Sequence, residues 1–165
     1  MVTMKRSPDD IAKMRKAGRV VAEMHEKIRE AIRPGVTNLA LDAIARDVLA
    51  RRGATSNFLG YSNPPYPAVI CAAPNDMVVH GIPGEYELGE GDIISIDCGA
   101  IIEGYHGDAA FTAPVGQVSE EAARLIKVTD ESLFAGIDQM VDGNRLSDIG
   151  HAVQTVAEAA GYGVV

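Results

Sequence analysis

Two aspartates, Asp97 and Asp108, lie in the segment IISIDCGAIIEGYHGDAAFT at 93–112, whose apolar runs flank Glu103-Gly104 and read as a β-hairpin. Pairing about a centre between Ile102 and Glu103 sets the two aspartates directly opposite each other on one face of the hairpin. Directly opposed residues hold their Cβ atoms roughly 4.5–5.5 Å apart, close enough for one or two metal ions to bridge the carboxylates. Bare like charges at that distance repel, so without a cation the pair shares a proton or shifts in pKa. The competing reading is a solvent-facing pair on an edge hairpin, which needs no ligand. Against it, both strands are otherwise small or apolar, so the carboxylates are expected to point into a partly dry site.

The elements that must position this pair are legible from caps and periodicity. Ser7-Pro8-Asp9-Asp10 starts a helix, with a capping serine, proline in the first turn and acidic residues at the positive end of the helix dipole. Ile11, Met14, Gly18, Val21, His25, Ile28 and Ile32 then recur at three and four residues, the expected buried stripe, and Arg33-Pro34-Gly35 ends the helix. Thr37 caps a second helix with Leu41, Ile44 and Val48 inward, closed by Gly53. From Thr55 to Thr112, short apolar runs separated by Gly, Pro and Asn predict sheet and loop. Ser119 caps a third helix carrying Leu125, Val128, Leu133, Ile137 and Met140, and a fourth runs from about Ser147 to Ala160.

Laid over itself at an offset of 108 residues, the chain places Gly35 on Gly143, Leu41 on Ile149, Val48 on Val156 and Gly53 on Gly161. Either two amphipathic helix pairs match by chance or the chain is internally duplicated, with a second copy that has reached only its helices by Val165. The expected class is α+β, and on the duplicated reading 1–165 is one incomplete domain, with a first helix-pair-plus-sheet half at 7–112 and helices opening a second half at 119–165.

Composition narrows the function. The chain has 165 residues, is 47% hydrophobic, and carries a formal charge of −8 with no basic stripe, which disfavours nucleic acid and anionic membrane surfaces as partners. No apolar run approaches the roughly 20 residues of a membrane span, and MVTMKRSPDD lacks the apolar core of a signal peptide, so a cytoplasmic location is expected. Cys71 and Cys98 both fall in apolar strand-like runs and read as reduced core or pocket thiols rather than a disulfide framework.

The runs GYSNPPYPAVIC, NDMVVHGIP, GDIISIDCG and GYHGD, in this order and separation, closely resemble type I methionine aminopeptidases, and the likeness extends from the first helix onward. The resemblance implies the duplicated pita-bread fold, two helix-pair-plus-sheet halves enclosing a dinuclear site, and removal of the initiator methionine from nascent proteins with a small second residue. It casts Asp97 as the carboxylate that binds one metal bidentately, Asp108 as the one that bridges both, and His80 as the non-ligand histidine beside the scissile bond. Two divalent ions, Co, Mn or Fe, suit such hard oxygen ligands. Tyr61, Tyr66, Cys71 and Phe58 resemble the lining of the methionine side-chain pocket, where a soft thiol and aromatic rings suit a thioether. Here the link between Tyr61 and Tyr66 is longer and richer in proline than the family pattern. His106 shares a strand face with Asp108 and is a candidate supporting partner; His25 and His151 are expected to be structural, the latter on a surface turn.

The largest departure from the family is an absence. The family's remaining ligands, a histidine and two glutamates from the second half, are missing up to Val165. Taken alone, the chain is expected to bind metal weakly, to be a poor peptidase, and to expose the apolar seam meant for the missing half. A truncated product, a split protein and a natural half-length relative all fit, and the expected partners are nascent polypeptide N-termini, possible ribosome contact, and a missing half or a second copy. Two alternatives stand beside the leading function: a proline-specific aminopeptidase or dipeptidase of the same fold, and a catalytically silent protein- or ribosome-binding relative.

Overall fold

The computed structural model describes residues 5–164, so the outer limits of the expected 1–165 domain and 119–165 segment, and the start of MVTMKRSPDD, lie outside the described residues. The chain forms two compact units that meet in sequence between Val118 and Ser119. The first contains helices α1 (Pro8–Ala31) and α2 (Asn38–Arg52) and strands β1 (Thr55–Ser56), β2 (Ile70–Pro74), β3 (Ile93–Ile102) and β4 (Tyr105–Pro114). The second contains α3 (Glu120–Asp138) and α4 (Leu146–Ala159).

Helix starts follow the capping chemistry. Ser7 Oγ accepts from the Asp10 N–H at 3.1 Å while the Asp10 carboxylate accepts from the Ser7 N–H at 2.8 Å, a reciprocal box that satisfies two orphan donors. Thr37 and Ser119 cap α2 and α3 in the same sense, and Gly53 closes α2 in the left-handed region. The fourth helix begins one residue earlier than expected, at Leu146, after Arg145. His151 lies within α4, not on a turn. The offset of 108 carries Asn38 onto Leu146, the starts of α2 and α4, and Gly35, Gly53, Gly143 and Gly161 all have positive φ.

The sheet is wholly antiparallel and centred on β3. Along its length β3 pairs with β4, and its other edge is shared by β2, against residues 94–98, and β1, against residues 100–101. Strand alternation then divides the sheet. Ile94, Ile96, Cys98 and Ala100 point into a core completed by Val20, Val21, Met24 and Ile28 of α1 and Leu41, Ala45 and Val48 of α2. Each large aliphatic side chain sealed there contributes roughly 1.5–3 kcal/mol.

The seam of α1 differs from the expected stripe. Ala17, Val20, Val21, Met24 and Ile28 are buried, whereas Ile11, Met14 and Gly18 are exposed. Two contacts set this orientation. A Cβ on Gly107 of β4 would lie 2.7 Å from the backbone of Ala17 and Gly18, so the helix rests directly on the strand there. The first turns are held by polar groups instead: Tyr105 donates to Asp10, and Lys16 pairs with Glu103 at 2.7 Å. His25 is structural as expected, within 2.9 Å of the Ala109 carbonyl and edge-on to Phe111 at 4.7 Å. Burial pushes its imidazole below the usual histidine range, so it is neutral and donates to that carbonyl.

In the second unit the seam likewise shifts. Val128, Ser132 and Gly136 are buried, while Leu125, Leu133, Ile137 and Met140 are exposed. A Cβ on Gly136 would sit 2.8 Å from Val153 Cγ2, so the glycine admits α4 to close range.

Asp42 of α2 is a buried carboxylate that periodicity alone does not foresee. Its Oδ1 accepts from the N–H groups of Val69 and Ile70, at 2.7 and 3.3 Å, and its Oδ2 from Arg46 Nε at 2.6 Å. It thereby anchors the start of β2 to α2. Asp42→Ala is expected to lower stability by about 3 kcal/mol, because it strands two buried backbone donors, while Arg46→Ala, at a half-exposed side chain, costs under about 1 kcal/mol; urea denaturation measures both.

Candidate metal centre

The outward face of the sheet carries the chemistry. In β3, Asp97 alternates with the core residues, and its Cα partners are Cys71 on β2 and Ala110 on β4. Asp108 is opposite Gly99, so the two aspartates are diagonal neighbours and not directly opposed. The hairpin turns at Glu103-Gly104, with φ of 52° and 78°, a pattern that demands two positive values. A centre between Ile102 and Glu103 would force a β-branched residue into that region, which is costly. The correction is a shift of two residues, so Asp97 and Asp108 keep a common face.

Asp97 is half-buried and Asp108 exposed. Burial, reinforced by the charge of Asp108, raises the Asp97 carboxyl above the usual carboxylate range, and His80 opposes the shift. Asp97 Oδ1 is buried without a hydrogen-bond partner. An orphaned carboxylate oxygen beside a second carboxylate is a fit for a divalent cation, which satisfies the lone pairs and removes the repulsion. The set is incomplete: among the described residues no group of three or more His, Cys, Asp or Glu is placed to hold a metal ion.

His80 stands on a loop after β2 in the left-handed region, with φ of 58°. Its neighbour Gly81 is fixed against β2, since a Cβ there would lie 2.1 Å from the Ala72 carbonyl oxygen, and the Ala72 N–H donates to Gly81 at 2.8 Å. Farther along, the Gly84 and Tyr86 carbonyls accept from the Leu39 and Asn38 N–H groups at the start of α2. The loop is thus tied down immediately after the histidine and again a few residues farther on.

Beside Asp97 opens a cleft of about 530 Å³ lined by Asn57, Phe58, Tyr61, Ser62, Pro64, Tyr66, Cys71, His80 and Ile82. All four aromatic and thiol residues singled out in the sequence meet here, but unequally. The Tyr66 hydroxyl lies 3.0 Å from the Ile70 carbonyl oxygen and 2.9 Å from that of Gly81, bracing the loop with its single proton. Burial raises its pKa, so it stays a donor. Cys71 is buried, and that burial, with the two aspartates, pushes its thiol up and keeps it neutral. Tyr61 is 74% exposed and forms the rim. The proline-rich link between the two tyrosines contains a cis Asn63–Pro64 bond. Cys98 points to the core, and both cysteines are free thiols.

His106 lies on the outward face, two residues before Asp108 and opposite Ile101. It is exposed and, among the described residues, makes no hydrogen bond to either aspartate. Asn57, unremarked in the sequence, does approach Asp108. The available signal was Gly99, since a glycine inside a strand marks a close approach.

A carboxylate pair, a tethered histidine and an apolar cleft thus share the outward side of the sheet. Residues 12–165 match the model of metallopeptidase family M24, and the chain belongs to that family. It is 50% identical over 157 residues to a methionine aminopeptidase of Clostridium acetobutylicum, covering 94% of this chain and 62% of that protein. The methionine aminopeptidase structure from Rickettsia prowazekii superposes with a TM-score of 0.94 at 35% identity, covering all of this chain and 65% of that one. A Xaa-Pro dipeptidase from Bacillus anthracis, at 22% identity and a TM-score of 0.83 over 96% of this chain and 42% of that one, shares the fold alone. The architecture is the pita-bread fold. The chain spans about three fifths of the length of the curated relatives it matches. The family implies divalent metal ions. Among the described residues no helix is long and apolar enough to cross a membrane.

The raised Asp97 carboxyl gives a pH signature. A carboxyl whose folded pKa lies above its unfolded value of roughly 4 binds its proton more tightly when folded, so metal-free stability falls as pH rises through that window. Asp97→Asn is therefore expected to stabilise the metal-free protein at pH 7 and to lose that advantage by pH 3, as read by urea denaturation in the presence of a chelator.

Proposed function

We propose that this chain supplies the first half of a dinuclear metalloaminopeptidase that removes the N-terminal methionine of nascent proteins with a small second residue. The observation that carries the reading is the common outward face of Asp97 and Asp108, with an orphaned carboxylate oxygen, beside His80 and an apolar, thiol-containing cleft. Methionine aminopeptidases at 35–50% identity support the same substrate.

In this reading Asp97 and Asp108 would hold divalent ions, Mn, Fe or Co, with a histidine and two glutamates from outside the chain completing the set. Such ions would supply Lewis acidity that makes a water nucleophilic near neutral pH. His80, held by Gly81 and its left-handed backbone, donates a hydrogen bond or proton to the scissile peptide at the mouth of the cleft. Phe58, Tyr61, Tyr66 and Cys71 take the methionine side chain, for which a neutral thiol and aromatic rings offer polarizable contact. Tyr66 also fixes the His80 loop through Gly81. His106 stands near Asp108 as a supporting group.

Residues 7–112 form the first helix-pair-plus-sheet half and 119–165 open the second. The exposed Leu125, Leu133, Ile137 and Met140, with Leu146 at 85% exposure, are a surface for the remaining half or a second copy. We assign the protein to the cytoplasm with nascent chains, and ribosomes carrying them, as partners.

The test is methionine release from Met-Ala-Ser with added Mn²⁺ or Co²⁺. The full-length protein carrying this chain is expected to release methionine and not to cleave before proline. Asp97→Asn abolishes release, and His80→Ala lowers kcat by about 10²–10⁴-fold. The 165-residue chain alone is expected to be inactive beside that control; release by it that is lost with Asp97→Asn would contradict the need for outside ligands.

A further inference from the structure

We propose that Asn57 is a positioning residue for Asp108. The side-chain amide of Asn57 reaches across from the end of β1, and its Nδ2 donates to the Gly107 carbonyl oxygen at 3.3 Å and to Asp108 Oδ2 at 3.4 Å. The space it uses is provided by Gly99. That residue is the direct cross-strand partner of Asp108, and a Cβ on it would come within 2.7 Å of Asn57 Cγ and Nδ2. Any other residue at 99 would place carbon beside the carboxylate; the glycine lets an N–H donor take that place. The amide orientation follows from its surroundings, because exchanging Oδ1 and Nδ2 would set a carbonyl oxygen against two acceptors.

A cost accompanies this arrangement. Asn57 Oδ1 is buried with no hydrogen-bond partner, an arrangement that native interiors avoid. Alanine would carry no such orphan. The amide thus gives up one hydrogen bond to keep its N–H groups on Asp108 and Gly107. Hydrogen bonds to a ligating carboxylate fix its orientation, and their removal characteristically weakens metal affinity by 10–100-fold.

The inference rests on the reading of Asp108 as a metal ligand, and the experiment separates the two. Mn²⁺ binding is titrated by electron paramagnetic resonance into the wild-type full chain, Asn57→Ala, Asp108→Ala and the double variant, with thermal melts of each metal-free protein. Asn57→Ala is expected to weaken Mn²⁺ about 10-fold or more, and to have no further effect once Asp108 is alanine. Unchanged affinity in Asp108→Ala overturns the metal reading itself. A loss in Asp108→Ala with none in Asn57→Ala, or equal losses from Asn57→Ala in both backgrounds, overturns the positioning role. If Asn57→Ala fails to fold or Mn²⁺ binds too weakly to titrate, the side-chain amide resonance of Asn57 in the otherwise intact chain decides. A shift on Asp108→Ala supports the contact, and an unmoved resonance overturns it.

Discussion

The site depends on the two positive φ values at Glu103 and Gly104. That turn closes the hairpin in one register, and the register decides which residues of β3 and β4 meet. Because side chains alternate with a period of two, a slip of one residue would move the whole of β4 to the other face. Asp108 would then turn toward α1, and Phe111 toward solvent. The tight turn therefore does more than reverse the chain: it keeps two carboxylates together on the side of the sheet opposite α1 and α2.

Around that constraint the first unit divides its labour by face. The inner face of the sheet is Ile94, Ile96, Cys98 and Ala100 against α1 and α2. The outer face collects Asp97, Asp108 and Cys71 under a loop that bears His80. Polar ties connect the two sides. Asp42, from within α2, fixes the backbone entering β2, whose second residue is Cys71; Tyr66 fixes the loop leaving it. The helices are thus the rigid mounting for groups they do not touch.

Much of this was legible in the sequence where the chemistry is local. Ser7, Thr37 and Ser119 announce helix starts because each supplies an acceptor that the first turn lacks, and Gly53 ends α2 because left-handed backbone suits it. The face shared by the aspartates was legible too, since it needs only parity. Their register was not, because a shift of two leaves the apolar pattern unchanged, and only the preference of Gly104 over Ile102 for positive φ discriminates. The seam of α1 was misread by its richest apolar residues. Gly107 draws Ala17 and Gly18 onto the strand, and Asp10 and Lys16 hold the first turns to Tyr105 and Glu103, contacts between residues some 90 positions apart in the chain. Asp42 was invisible for the same reason, and Asn57 was signalled only indirectly by Gly99: their partners are set by the fold.

Whether divalent metal engages this chain at the outer face of the β3–β4 hairpin is read by paramagnetic broadening with Mn²⁺, followed residue by residue in the ¹H–¹⁵N spectrum. Sub-stoichiometric Mn²⁺ is expected to erase first the amides of Asp97, Gly99, Asp108 and Ala110, with that of Cys71 close behind, and Asp97→Asn to abolish this focus. Broadening spread over the acidic surface, or centred on the carboxylates of α3 and α4, would contradict that expectation.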